Sequence, residues 1–421
     1  MQKKHSNVIA VIILGALFFI FGFVTWLNGT LIPYLKIACE LNNFQSLLVA
    51  FAFYISYFFT ALPSSWILRK TGFKKGMMLG LLVMAFGALL FIPAAKSRTY
   101  GMFLTGLFVI GTGLSILQTA SNPYITIVGP IESAARRISI MGICNKVAGV
   151  LAPIILGAVI LSDADTLLKE LQPLDTIQKA ERLNELASRV IFPYSMMAIA
   201  LTGLALMIRF SPLPDIEKEQ DDIEYLPTGY KTSVIQFPNL VLGVIAIFLY
   251  VGVEVIAGDT IGTYGQSLGI PLSEAKNFTA YTLTAMVVGY IIGILSIPKI
   301  ISQSQALAVS AVVGIAFSLA AIVTNGYTSV LFIALLGLAN ALMWPAIWPL
   351  AIDGLGRFTK TGSALLIMGI AGGALLPLLY GRLADIESIG SRYAYWIMVP
   401  CYLFILYYGL KGHKIKEWKM E

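Results

Sequence analysis

The stretch VIAVIILGALFFIFGFVTWLNGTLIPYL, Val8–Leu35, contains no Asp, Glu, Lys or Arg. A helix of that length, at about 1.5 Å per residue, exceeds the roughly 30 Å hydrocarbon core of a bilayer. A soluble helix would keep one polar face, and this run has none. It is also too long for a signal peptide and lacks a small-residue cleavage site. It therefore reads as a retained membrane span. The rest of the chain repeats it: 57% of the 421 residues are hydrophobic and 12% are charged, against roughly 25% charged in soluble domains. Mean hydropathy is +0.81. These values exclude a soluble enzyme and a disordered chain. Continuous rather than alternating apolar runs disfavour a β-barrel.

Working outward from the first run, breaks of charge delimit twelve spans. Six lie at about Val8–Leu35, Gln45–Leu68, Gly76–Ala95, Tyr100–Val128, Ile138–Leu161 and Val190–Phe210. Six more lie at about Leu240–Leu268, Ala275–Ile297, Ala306–Val323, Ser329–Ile352, Gly362–Ala384 and Tyr393–Leu410. The expected organisation is a first six-helix bundle over 1–210, a cytoplasmic linker over 211–238, and a second bundle with a cytoplasmic tail over 239–421. Lys and Arg concentrate on alternate loops (Lys3, Lys4, Arg69 to Lys75, Arg136, Arg137, Lys299, Arg357, Lys360, Lys411 to Lys419), which places both termini in the cytoplasm. The formal charge of +7 belongs to those loops and not to one soluble face, so nucleic acid is not an expected partner. The long loop Ser162 to Arg189 holds an amphipathic piece around Ile177–Ala187 and reads as a solvated cap.

Ile140-Met141-Gly142-Ile143 recurs as Ile367-Met368-Gly369-Ile370, an offset of 227. Each copy follows a span with proline (Pro123; Pro345 and Pro349) and precedes another proline (Pro153; Pro377). The expected fold class is an all-α integral membrane protein of twelve transmembrane helices in two related six-helix bundles, with a site between them near mid-depth.

Charges at bilayer depth cost at least about 2.5–3.5 kcal/mol, so they face partners or cavities. Lys146, Glu254 and Asp259 are such charges and are the candidate coupling and ion residues. The alternatives are a structural ion pair for Lys146 and a water-exposed helix end for Asp259. At about 100° per residue, Asp259 faces roughly 140° away from Glu254, so the two need not share a site. Asn28, Gln118, Asn122, Asn145 and Asn340 each offer donor and acceptor atoms, as a polyhydroxyl ligand requires, or they bond between helices. Gln118 and Asn122, at i and i+4, share a face. Trp26, Trp344, Trp348 and Tyr264 fall near these groups and can cover the apolar face of a sugar. Trp344 and Trp348 lie on one side of a proline-distorted helix, while Trp396 and Trp418 read as interface anchors. His5 and His413 lie in the polar tails, so any proton relay inside must use carboxylates. Cys39, Cys144 and Cys401 form no disulfide framework or metal pattern.

Taken together, Gly22 to Pro33, Gln118 to Tyr124 with Gly129-Pro130, Glu254-Val255 with Gly258, and Asn340 to Trp348 with Gly354-Leu355-Gly356 resemble the fucose, glucose and galactose transporter branch of the major facilitator superfamily. The loop Arg69 to Lys75 is similar to the superfamily's gating motif, with Leu68 where Asp is usual. The resemblance implies the major facilitator fold and import of a hexose or amino-hexose by alternating access, the expected work of a monomer in a bacterial-type inner membrane in company only with sugar and lipid. The implied sugar contacts are Asn28, Gln118, Asn122, Asn145, Asn340 and Trp344. The branch's fucose symporter carries proton-coupling Asp and Glu residues where this chain has Gly29 and Gln118. The co-transported cation is then Na+ or H+, with Glu254 and Lys146 as the coupling pair. No cofactor, metal or enzymatic activity is expected, since no nucleophile or ligand cluster stands out. Export of drugs or metabolites is the alternative.

Overall fold

The computed structural model describes residues 2–127, 134–171, 173–211, 231–297 and 300–418. Among the described residues, twelve helical segments are long and apolar enough to cross a membrane: Val11–Ala38, Leu48–Leu68, Lys70–Ser97, Tyr100–Ser121, Ile140–Ile160, Thr176–Phe210, Pro238–Asp259, Leu272–Ser296, Gln303–Val323, Gly326–Ile352, Thr361–Ala384 and Gly390–Lys414. These are spans 1 to 12. Phe58, Phe59, Trp66, Phe86, Ile199, Leu295 and Val323 project outward and stay exposed. A water-soluble protein would place charges there, so this is the lipid-facing surface of a bundle.

Several spans differ in detail from the uniform helices expected. Span 1 is interrupted at Leu27, between helices Gln2–Trp26 and Asn28–Ala38. Span 7 ends at Asp259 and resumes after Thr260 as Ile261–Ser267. Span 10 breaks between Gly326–Asn340 and Met343–Ile352. Spans 2 and 3 run together through Gly72, whose φ of 76° and ψ of 170° turn the chain where a side chain would be strained. The amphipathic piece forms helix Thr176–Ser188, capped by the Asp175 carboxylate, and leads straight into span 6.

The internal duplication has a physical counterpart. A Cβ on Gly22 would lie 1.9 Å from the carbonyl oxygen of Asn145, where spans 1 and 5 cross. A Cβ on Gly372 would lie 1.7 Å from that of Phe248, where spans 7 and 11 cross. The two crossings are related by offsets of 227 and 226 residues, within one residue of the spacing of the repeated tetrapeptide. Glycine therefore sits on opposite partners of one repeated backbone-to-backbone contact.

The amino-terminal residues mark one end of the bundle as the near face, and the loops around 39–43, 161–175, 268–277 and 385–390 mark the far face. At the far face the Asp385 carboxylate accepts from the backbone N–H groups of Asn43 and Phe44 at 3.1 and 2.8 Å, and Lys276 donates to Leu161 O at 2.7 Å. These bonds join the first six spans to the last six. Among the described residues, the near-face bonds of Lys74 to Ser211 O and Lys416 to Asp353 each stay within one half. The segment 162–189 docks over the first half. There Tyr34 donates to Leu186 O at 2.6 Å, Lys179 pairs with Glu40, and Arg182 and Arg189 both hold Asp163. The Arg189 hydrogen bond holds the Asp163 carboxyl below its ordinary value.

Candidate functional site

Lys146, eight residues into the apolar run of span 5, finds its partner on span 7: Nζ stands 2.9 Å from Glu254 Oε1, both side chains being 10% exposed. The sequence shows two misfit charges; the fold turns them into one ion pair that bridges the halves. The interhelical ion pair that stood as the alternative reading of Lys146 is present. Nζ also lies 4.8 Å from the centre of the Trp26 ring, a cation–π contact that covers the ammonium. Trp26 in turn packs on Gly258, where a Cβ would meet the ring at 2.5 Å. Span 1 thus lies on the stretch of span 7 that carries Glu254 and Asp259.

One turn below Glu254, Tyr250 begins an aromatic ladder. Its ring lies 6.4 Å from Trp344, and Trp344 stacks on Trp348 at 5.3 Å and 28°. Both tryptophans are half-buried. The expected common face is therefore real, and these rings offer a flat apolar wall beside the ion pair. Asn340, three residues before that helix begins at Met343, is fully buried; its Oδ1 accepts from Tyr402 at 2.8 Å, while its Nδ2 has no partner. Asn28 is likewise buried with an unpartnered Nδ2. A buried donor left unmade costs about 1–3 kcal/mol, which a ligand oxygen would recover.

The remaining predicted residues are placed less centrally. Gln118 donates to Tyr57 at 2.6 Å, within the first half. Asn145 donates weakly to Phe18 O at 3.4 Å beside the Gly22 crossing. The side chain of Asn122 lies outside the described residues, as do Gly129 and Pro130. Tyr264 is tied to Ser329 and packs on Tyr395, away from the ion pair. Asp259 is fully buried, not a water-exposed helix end. Tyr54, Tyr57, Tyr250 and Tyr402 were not singled out from sequence; a tyrosine amid aliphatic residues is the available signal, since a buried hydroxyl needs a partner.

The model of the major facilitator superfamily matches residues 14–377. The chain belongs to the major facilitator superfamily. A glucose/galactose transporter of Brucella abortus is 38% identical over 98% of this chain and 96% of its own length. A putative glucose/galactose transporter of Helicobacter pylori is 32% identical over 99% of this chain and all of its own. Among solved structures, the Escherichia coli fucose:proton symporter FucP superposes with a TM-score of 0.72 at 26% identity, covering 96% of this chain and 98% of that one. The superfamily's two-bundle membrane fold is thus established, and the relatives are membrane transporters rather than enzymes.

Proposed function

We propose that this chain is a secondary active importer of a hexose, glucose, galactose or an N-acetylglucosamine-like sugar, driven by a co-transported cation. The observation that carries the reading is the buried Lys146–Glu254 pair, which joins the halves at mid-depth directly above the Tyr250–Trp344–Trp348 wall. The names of the relatives supply the substrate class. The unpartnered amide donors of Asn28 and Asn340 suit sugar hydroxyls, and the tryptophan faces suit a sugar's C–H surface. Gln118, Asn122, Asn145 and Trp344 complete the proposed sugar contacts.

The bundles, 1–210 and 239–421 about a linker at 211–238, rock around this site as one monomer. The near face is assigned to the cytoplasm by its Lys and Arg, in a bacterial-type inner membrane. Far-face bonds from Asp385 and Lys276 close one side, and their release opens it. Separating the halves breaks the Lys146–Glu254 pair, so any bound cation or sugar that alters its cost shifts the balance between the two states.

Uptake of labelled glucose into proteoliposomes, under a sodium gradient or a proton gradient and with galactose, fucose and N-acetylglucosamine as competitors, tests this reading. Accumulation under one gradient, displaced by a competing sugar, is expected. Absence of uptake under both gradients, in vesicles shown active by exchange of another solute, overturns it.

A further inference from the structure

At the near face, where span 3 restarts after Gly72 and span 6 ends, Lys74, Lys75, Met78 and Arg209 line a notch of about 50 Å³. Lys74 is occupied within the fold: its Nζ donates to Ser211 O at 2.8 Å, which closes the carboxyl end of span 6 and ties the two helices together. Lys75 and Arg209 are not. Both are exposed, and among the described residues neither has a carboxylate partner. The sequence supplies the reason, since neither 41–131 nor 186–214 contains an Asp or Glu. Lys75 also stands in the first turn of its helix, where the positive end of the backbone dipole disfavours a cation. An anion in the notch would relieve both the mutual repulsion and the dipole, and would accept charge-assisted hydrogen bonds from both side chains.

What lies beneath the notch identifies the anion. Leu82, Phe86 and Leu89 follow Lys75 at i+7, i+11 and i+14, one face of span 3, and all three are exposed. Ile199 and Leu206 of span 6, leading up to Arg209, are exposed as well. Lys74 joins the two spans at this end, and Phe91 stacks on Tyr194 at 3.7 Å toward the other, so the apolar stripes run side by side. Lys70 lies 3.8 Å from the centre of the Trp66 ring and Arg209 5.8 Å from that of Phe210, and both rings are exposed. Exposed aromatic rings beside cations mark the headgroup level of a membrane. A soluble anion would use the cations alone; a lipid uses the cations and the stripes together.

We propose that this notch binds the phosphodiester of one anionic phospholipid, with Lys75 and Arg209 on the phosphate oxygens and the acyl chains along the stripes of spans 3 and 6. Arg209 brings a planar fork that matches two phosphate oxygens, and Lys75 a point charge. Headgroup charge selects the lipid: a zwitterionic headgroup carries its own cation toward the notch, whereas phosphatidylglycerol brings only the anion. Every contact lies within the first half, so the lipid clamps span 3 to span 6 and stabilises that bundle. The inference is independent of the substrate and of the driving ion.

The test uses the full-length protein in detergent, with phosphatidylglycerol and phosphatidylcholine of identical chains as probes. Native mass spectrometry is expected to show one phosphatidylglycerol retained per chain, preferred roughly tenfold over phosphatidylcholine, and the same lipid should raise the unfolding midpoint. Lys75→Gln combined with Arg209→Gln is expected to lose the preference and the gain in midpoint. Lys411→Gln combined with Lys414→Gln, which removes equal charge from another exposed near-face site, should keep both. Should the notch variant fail to fold, the wild type decides: phosphatidylglycerol with a photoreactive acyl chain should label peptides of spans 3 and 6. Absence of any preference overturns the proposal. So do equal losses in the two double variants, which would reduce the effect to diffuse attraction, and labelling confined to other spans. Displacement of the lipid by millimolar inorganic phosphate also overturns it, by giving the notch to a soluble anion.

Discussion

The carboxylate of Asp385, at the far end of span 11, accepts from Phe44 N–H at 2.8 Å, so a side chain of one half caps the first turn of a helix in the other. Asn43 N–H adds a second bond at 3.1 Å. Losing a carboxylate cap costs typically about 1 kcal/mol, or roughly fivefold in an equilibrium at 25 °C. Asp385→Asn should therefore move the population by about that factor toward far-face opening. Spin labels at the exposed positions Gln178 and Glu387 should report a larger long-distance fraction, and an unchanged distribution would deny Asp385 a gating role.

The Lys146–Glu254 pair is the central energetic contact. Removing one member of a buried pair leaves an uncompensated charge and costs about 3–5 kcal/mol, whereas removing both can be nearly neutral. Lys146→Met and Glu254→Gln should each depress stability, and the double variant should recover most of the loss. A cycle of unfolding midpoints measures this coupling. Additive losses would show that the pair is not formed. All three variants should lose gradient-driven accumulation.

How much of this was legible beforehand depends on which interactions are local. Span positions follow from desolvation of each segment, so the twelve runs and the amphipathic helix at Thr176–Ser188 were readable. Lys146 and Glu254 stood out for the same reason. Their coupling was an expectation carried by opposite charge alone; the contact itself depends on the rotation of two helices 108 residues apart in sequence. The helix breaks at Leu27 and Thr260 fall at residues with no distinctive backbone preference. Tyr57 and Tyr402 gain meaning only through the amides they bond, Gln118 and Asn340.

Trp344 contributes a face to the proposed sugar wall and leans on both Tyr250 and Trp348. Aromatic contacts of this kind are worth about 0.5–1.5 kcal/mol beyond area burial. Trp344→Ala should weaken sugar binding by roughly tenfold, measured by tryptophan-quenching or scintillation proximity titration, and Trp344→Phe should retain much of the affinity. Equal affinity in wild type and Trp344→Ala would move the sugar away from this wall.

Asp163 links the far-face cap to acid stability. Its carboxyl is held below the ordinary range chiefly by the Arg189 hydrogen bond. A depressed folded value means the unfolded chain takes up protons first, so the contribution is present above about pH 4 and is lost as pH falls through the lower folded value. Proteolysis of segment 162–189 should accelerate below about pH 4 in wild type. In Asp163→Asn it should be faster at neutral pH and lack that acid step; an acid step of undiminished size would assign it to other carboxylates.

The repeated crossings make the last prediction symmetrical. A methyl at Gly22 would stand 1.9 Å from Asn145 O, and one at Gly372 1.7 Å from Phe248 O. Both distances are far below any real carbon–oxygen contact, and the obstacle is backbone, which no rotamer change can move aside. Spans 1 and 5, or 7 and 11, must therefore separate along their whole crossing. Overpacking of this kind costs typically about 1–3 kcal/mol. Gly22→Ala and Gly372→Ala should each lower the unfolding midpoint, whereas Gly203→Ala, which meets nothing within 4 Å, should not. Gly22→Ala carries a second consequence. It displaces span 1 beside Asn145 and its neighbour Lys146, so it should also impair transport in the fraction that folds. Gly372→Ala displaces span 7 at Phe248, two residues from Tyr250 of the aromatic wall, so it should impair transport as well. Equal behaviour of all three variants would mean that the two crossings are looser than their backbone contacts require.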